Sequence, residues 1–199
     1  MKKILICGDS FSADWTVKYS GSGWPNLLAE EYEVVNLSQA GCSEYKIYLQ
    51  LARCDIKDFD VVFISHTSPY RIHTPYHPAH CHDVLHKDCD FIYKDVKSCE
   101  KLYPELQVIS SYFEKYFDLD YAKFVFDLIV QKIHNLVRSH PKYYHLTFDV
   151  DDLPIENTTS IVNLRSESVN HAMITLGMNH MSQQGNNNVY QKLKRIIET

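Results

Sequence analysis

The feature that most limits how this chain can fold lies at its start, where Ile4 to Cys7 form an apolar run and Gly8-Asp9-Ser10 follow at once. A short apolar run without alternation suits a strand buried on both faces, and such strands belong in parallel sheets covered by helices on both sides. Glycine, aspartate and serine are turn residues, so the chain has to leave the sheet at this point. Ser10 then stands just beyond the carboxyl end of the first strand, the edge where open α/β sheets bind ligands. A hydroxyl in that place is suited to act as a nucleophile, although an ordinary strand-to-loop turn accounts for the same three residues.

The rest of the chain repeats the strand and helix alternation. Glu33 to Leu37 reads as a second strand, Val61 to Ile64 as a central parallel strand, and Tyr143 to Val150 as another. Between them the spacing predicts a helix opening at Gly23-Trp24-Pro25, with proline in its first turn, and one over Glu44 to Ala52, where Tyr45, Tyr48, Leu49 and Ala52 share a face. Two further helices are predicted over Pro104 to Tyr116 and Asp118 to Arg138, the second with a wide apolar face of Phe124, Phe126, Leu128, Ile129, Ile133 and Val137. Ser182 is a good N-cap for a last helix whose buried face is Val189, Leu193, Ile196 and Ile197. Residues 153–170 are ambiguous. The expectation is a single α/β domain over 1–199, a flavodoxin-like three-layer sandwich around a parallel sheet, with an insertion at about 72–106 where the periodicity fails.

Composition narrows the function classes. A net charge of -5 gives no basis for binding nucleic acid. No segment approaches the ~20 apolar residues needed to cross a bilayer, and the apolar run behind Lys2-Lys3 stops at Cys7, too short for a secretory signal. A cytoplasmic protein without membrane or nucleic-acid partners is expected. Its six scattered cysteines look like reduced thiols rather than a disulfide framework.

Three blocks carry a resemblance. Gly8-Asp9-Ser10-Phe11-Ser12, Asn36-Leu37-Ser38-Gln39-Ala40-Gly41 and Asn179-His180-Met181-Ser182-Gln183-Gln184-Gly185-Asn186 resemble the first, second and last sequence blocks of the SGNH (GDSL-type) hydrolases, in the right order across nearly the whole chain. The resemblance implies that Ser10 is a nucleophile, that His180 is its general base, and that the backbone N–H groups of Ser10 and Gly41 help form an oxyanion hole. Its chemistry is coherent, because a serine hydroxyl needs a proton acceptor and a neutral imidazole is suited to that near pH 7.

The sequence departs from the family pattern twice. The family's third block supplies an asparagine after strand three, whereas this chain has His66-Thr67-Ser68, so Ser68 or Thr67 would have to donate in its place, and loss of such a donor can cost ~10²-fold in rate. The aspartate usually found three residues before the histidine is replaced by Gly177. Either a Ser10–His180 dyad operates, or an acid arrives from Asp149, Asp151 or Asp152, or the site binds without turnover; a triad lacking its acid can lose ~10⁴-fold. Asp9, His66, Arg71 and Asn179 are candidate substrate-binding groups.

The insertion offers a different chemistry. His73, His77, His80, Cys81, His82, His86 and Cys89 are metal-ligand types, but no repeated Cys-x-x-Cys or His-Glu-x-x-His pattern fixes a geometry, and a polar lid over the substrate is the expectation, with no metal and no cofactor. The leading expectation is an esterase or acyltransferase acting on a small acyl group of a carbohydrate or similar ester, with Trp15, Tyr19 and Trp24 flanking the nucleophile. The alternative is a catalytically weakened or inactive SGNH-like binding protein in glycan metabolism. The sequence is silent on oligomeric state.

Overall fold

The computed structural model describes all residues except 149, 151, 157 and 169–177. Its frame is a five-stranded parallel sheet in the order β2-β1-β3-β6-β7, formed by β1 (Lys3–Gly8), β2 (Glu33–Asn36), β3 (Val61–Ser65), β6 (Tyr143–Thr147) and β7 (Ile161–Asn163). Alternation along β1 divides the core into two layers. Ile4 and Ile6 pack with Trp24 and Leu28 of α1 (Trp24–Ala29) and with Val189, Leu193 and Ile197 of α7 (Gln183–Glu198). On the opposite face, Leu5 and Cys7 pack with Ile47 and Leu51 of α2 (Glu44–Ala52) and with Ile133 and Val137 of α5 (Leu119–Val137). The result is an α/β three-layer sandwich.

The strand order reverses at β1, with β2 on one side and β3 on the other, so the crevice that such sheets use for ligands opens at the carboxyl ends of β1 and β3. Gly8 is required at that point because a Cβ there would lie 2.2 Å from Ser12 Oγ and 2.6 Å from Ser65 Cβ. The last helix begins as expected, with the Ser182 hydroxyl accepting from Gly185 N at 3.0 Å. All six cysteines are free thiols. Among the described residues no helix is long and apolar enough to cross a membrane.

Two helical faces differ from the periodicity. α2 turns Glu44, Ile47, Gln50 and Leu51 inward and leaves Tyr45 exposed, so the tyrosine face is not its core face. The physical reason is that two polar side chains have buried work: the Gln50 carboxamide accepts from Gly8 N at 2.8 Å and donates to Gly8 O at 3.1 Å, while Glu44 reaches His66. On α5 the buried stripe is Phe126, Val130, Ile133 and Val137, whereas Phe124 and Leu128 face outward. Strand β6 ends at Thr147, short of the expected Val150, and β7 with a short helix α6 (Arg165–Ser168) occupies part of the ambiguous 153–170 region.

The insertion holds a two-stranded antiparallel ladder, β4 (Arg71–Ile72) with β5 (Phe91–Ile92), followed by α3 (Tyr93–Cys99) and leading to α4 (Leu106–Lys115). Because Gln50 satisfies both backbone groups of the buried Gly8, Gln50→Ala is expected to destabilise the chain by about 1–3 kcal/mol, read as a lower midpoint in urea unfolding.

Candidate functional site

The site is built from four turns at the carboxyl edge of the sheet. Downstream of β1, the Asp9 carbonyl accepts from Ser12 N at 3.1 Å and Ala13 N at 2.9 Å, which folds the chain back and holds Ser10 on the rim. The turn after β2 is tied to this one by Asn36 Nδ2 donating to Ser12 O at 2.8 Å and by the Ser12 hydroxyl bonding that of Ser38 at 3.0 Å. The segment after β3 joins through the wholly buried Asp9 carboxylate, whose Oδ2 accepts from the Thr67 hydroxyl at 2.7 Å and from Arg71 at 3.0 Å. Arg71 also donates to Cys42 O at 2.6 Å, so one guanidinium spans the first and second turns.

The fourth turn brings the other end of the chain. Asn179 Nδ2 donates to the carbonyls of Ser10 (3.3 Å) and Ala13 (2.8 Å), and the Trp15 indole N–H also donates to Ser10 O at 2.9 Å. The His180 ring packs edge-on against Trp15, with centroids 5.0 Å apart, and lies tilted 5.2 Å from Phe11. Both Asn179 (φ 54°) and His180 (φ 59°) adopt left-handed backbone conformations, which cost free energy for non-glycine residues and cluster at functional sites. Burial pulls the His180 imidazole below its ordinary pKa, against the Asp9 carboxylate, which raises it, and with further lowering by Arg71 and His86.

Ser10 and His180 are therefore gathered on one rim, within the same shell of Asp9, Phe11 and Trp15. Among the described residues no hydrogen bond joins the Ser10 hydroxyl to the imidazole, and no carboxylate bonds His180. Of the candidate acids, Asp152 is exposed, while Asp149, Asp151 and the Gly177 position fall outside the described residues. Gly41 sits in a turn at φ 78°, and among the described residues no hydrogen bond uses its backbone N–H or that of Ser10.

The remaining candidates divide by what already occupies them. Thr67 spends its hydroxyl on Asp9 and its N–H on Glu44 (3.2 Å), so of the two hydroxyls after β3 the half-buried Ser68 is the less committed, accepting from Tyr70 N at 3.3 Å. Asp9 and Asn179 are buried struts of the rim. His66 is buried with both ring nitrogens in use, Nδ1 on Glu44 Oε1 at 2.6 Å and Nε2 on His145 Nδ1 at 2.8 Å. That contact continues to His134, whose Nδ1 lies 3.2 Å from His145 Nε2. One direction of donation satisfies every step, each Nδ1–H donating toward Glu44. Sequence reading marks His66 and His145 near strand ends, with a hydrogen-bonded structural histidine as the commoner account, but it missed Glu44, His134 and the row itself, whose members are scattered over α2, the end of β3, α5 and β6.

A cavity of about 260 Å³ opens beside Ser68 and Arg71, walled by Glu44 and by Tyr112, Phe117, Tyr121 and Phe126 from α4, α5 and the turn between them. It shares Ser68 and Arg71 with the rim but does not include Ser10 or His180.

A comparison with solved structures bears on the fold. A protein described as lipolytic and of the G-D-S-L family, from Desulfitobacterium hafniense DCB-2, superposes with a TM-score of 0.53 at 11% identity, covering 98% of this chain and 99% of that one. TesA gives a TM-score of 0.46 at 11% identity, covering 99% of this chain and 98% of that one. No family model matches the sequence, and no curated protein matches it. The chain has the SGNH/GDSL fold.

The buried histidine row has a measurable consequence. Burial first, then the neighbouring His66 and His134, push His145 down to about 2, so the unfolded chain takes up a proton below its ordinary 6.5 that the folded chain refuses. Stability is thus full above pH 6.5 and falls as pH drops toward the folded value. Urea unfolding of His145→Asn between about pH 6 and pH 4 is expected to show a slope of stability on pH shallower by about 1.4 kcal/mol per unit than wild type.

Proposed function

We propose that this chain is a serine hydrolase of SGNH type that cleaves carboxylic esters. In this reading His180 takes the proton of the Ser10 hydroxyl as Ser10 Oγ attacks the ester carbonyl. The tetrahedral oxyanion is held by the N–H groups of Ser10 and Gly41 and by the Ser68 hydroxyl. Collapse expels the alcohol, which receives the proton from His180, and water then releases the acid by the same steps. The observation that carries the reading is the convergence of residues 10 and 180 across the whole chain, sealed by Asn179 on the Ser10 carbonyl. A depressed imidazole pKa supports it, since the base must be neutral to act.

Arg71 is proposed to position the rim and to meet an anionic or hydroxyl-rich part of the substrate at the cavity mouth. The tyrosine and phenylalanine walls of the neighbouring cavity, which meets the rim at Ser68 and Arg71, suit a sugar ring on the alcohol side of the substrate, so a small ester on a carbohydrate is the substrate class favoured. The second reading is a glycan-binding protein that kept the fold. It is favoured by the want of a carboxylate on His180 among the described residues and by Ser68 standing where the family has asparagine.

Hydrolysis of p-nitrophenyl esters separates the two. Wild type should turn over the acetate, and Ser10→Ala should lower kcat/KM by about 10³-fold or more. Equal inertness of both proteins at every acyl length would favour the binding reading. In the active case kcat/KM should rise with pH along a single limb whose midpoint lies below 6.5 and level off at neutral pH, because acid protonates His180. A limb above 7 would count against His180 as the base.

A further inference from the structure

The insertion at 72–106 presents a cluster that the ester chemistry does not use. His77 and His80 lie on the turn after β4, Cys89 precedes β5, and Asp95 lies in the first turn of α3. One ligand atom from each of these four residues falls within 4.8 Å of the others. Asp95 Oδ2 is 3.0 Å from His80 Nε2 and 3.3 Å from His77 Nε2. Tetrahedral zinc with bonds of about 2.0–2.3 Å sets its ligands about 3.3–3.8 Å apart, so the four atoms need to close by no more than about an ångström.

A second observation points to a ligand. The His77 side chain is entirely buried, its Nδ1 has no partner among the described residues, and its Nε2 meets only the Asp95 carboxylate at 3.3 Å, without the geometry of a hydrogen bond. Buried imidazole nitrogens are ordinarily satisfied, and an unsatisfied one costs stability unless something else meets it. The ring is also held in place, with Phe91 at 5.1 Å and the His80 ring at 4.6 Å between centroids.

We infer that His77, His80, Cys89 and Asp95 bind one zinc ion, which fastens the insertion against the turn that carries Gly41. The donor set is the kind zinc takes, and a thiolate, a carboxylate and two neutral imidazoles balance its two positive charges, as a largely buried site requires. On binding, Zn²⁺ displaces the Cys89 thiol proton to solvent and a zinc–sulfur bond forms without any redox change. Four protein ligands close the coordination sphere, so the ion is structural.

Its reach extends to the rim. Cys89 lies against Gly41, where a Cβ would come within 2.4 Å of its sulfur, and Asp90 N donates to Gly41 O at 3.0 Å. The Asp90 carboxylate accepts from Ser43 N at 2.6 Å and Thr74 N at 2.7 Å. Fixing Cys89 therefore fixes both sides of the turn after β2. The site itself stands whether or not Ser10 turns over an ester.

The test uses the full chain purified without a histidine tag. Elemental analysis should find about one zinc per chain, with Cys89→Ser lowering it at least about tenfold and the exposed His82→Ala leaving it unchanged. Replacement by Co²⁺ should give a thiolate-to-metal charge-transfer band in the near ultraviolet that persists in Cys81→Ser and vanishes in Cys89→Ser. Wild type that retains far less than one equivalent after exposure to Zn²⁺, or a cobalt band that survives Cys89→Ser, would overturn the site. If Cys89→Ser fails to fold, wild type alone decides: a thermal midpoint raised by Zn²⁺ and not by Mg²⁺ supports the inference, and one that Zn²⁺ leaves unmoved defeats it.

Discussion

The arrangement of the rim depends on one buried carboxylate. Asp9 immediately precedes Ser10 and is wholly removed from solvent, so its charge has to be met by fixed donors. Phe11 N, the Thr67 hydroxyl and Arg71 meet it, and Arg71 continues to the Cys42 carbonyl. Three separate turns thereby share one charge-assisted network, and its geometry holds Ser10, itself buried, at the carboxyl edge of the sheet. A shorter or neutral side chain at residue 9 would leave Arg71 half-buried without its counter-charge.

Around this network the chain sorts its polar side chains by layer. Glu44 and Gln50, on successive turns of α2, are both turned into the protein, one closing a row of imidazoles and the other clamping the backbone of Gly8. Both roles lie under the rim rather than on it. They make the α2 layer a rigid support for the turns after β1 and β3, while the opposite layer brings α7 and, just before it, the Asn179-His180 pair.

Much of this was legible in the sequence, for identifiable reasons. Strands β1 and β3 are continuous apolar runs because both their faces are covered, and the Ser182 cap follows from local chemistry alone. The blocks around Ser10, Gly41 and His180 could be read because each lies next to a strand end or helix start. The inward face of α2 could not be read, since periodicity treats glutamate and glutamine as solvent-seeking and knows nothing of partners supplied from β1 and β3. The grouping of His77, His80, Cys89 and Asp95 was legible in part: the first three stood out as metal-ligand types and the His77/His80 spacing suits a turn, but no repeated motif selects them from the neighbouring His73, Cys81, His82 and His86, and only the β4–β5 ladder and the start of α3 fold the stretch so that the four meet. Asp95 alone of the four was not visible as a companion.

The bonds from Asn179 to the carbonyls of Ser10 and Ala13 join the two extremes of the polypeptide. The Asn179–Ser10 bond spans 169 residues, so neither segment carries the rim by itself. The hydroxyl and the imidazole are strangers along the sequence, and only a fold that packs α7 on the layer beside β1 makes them neighbours.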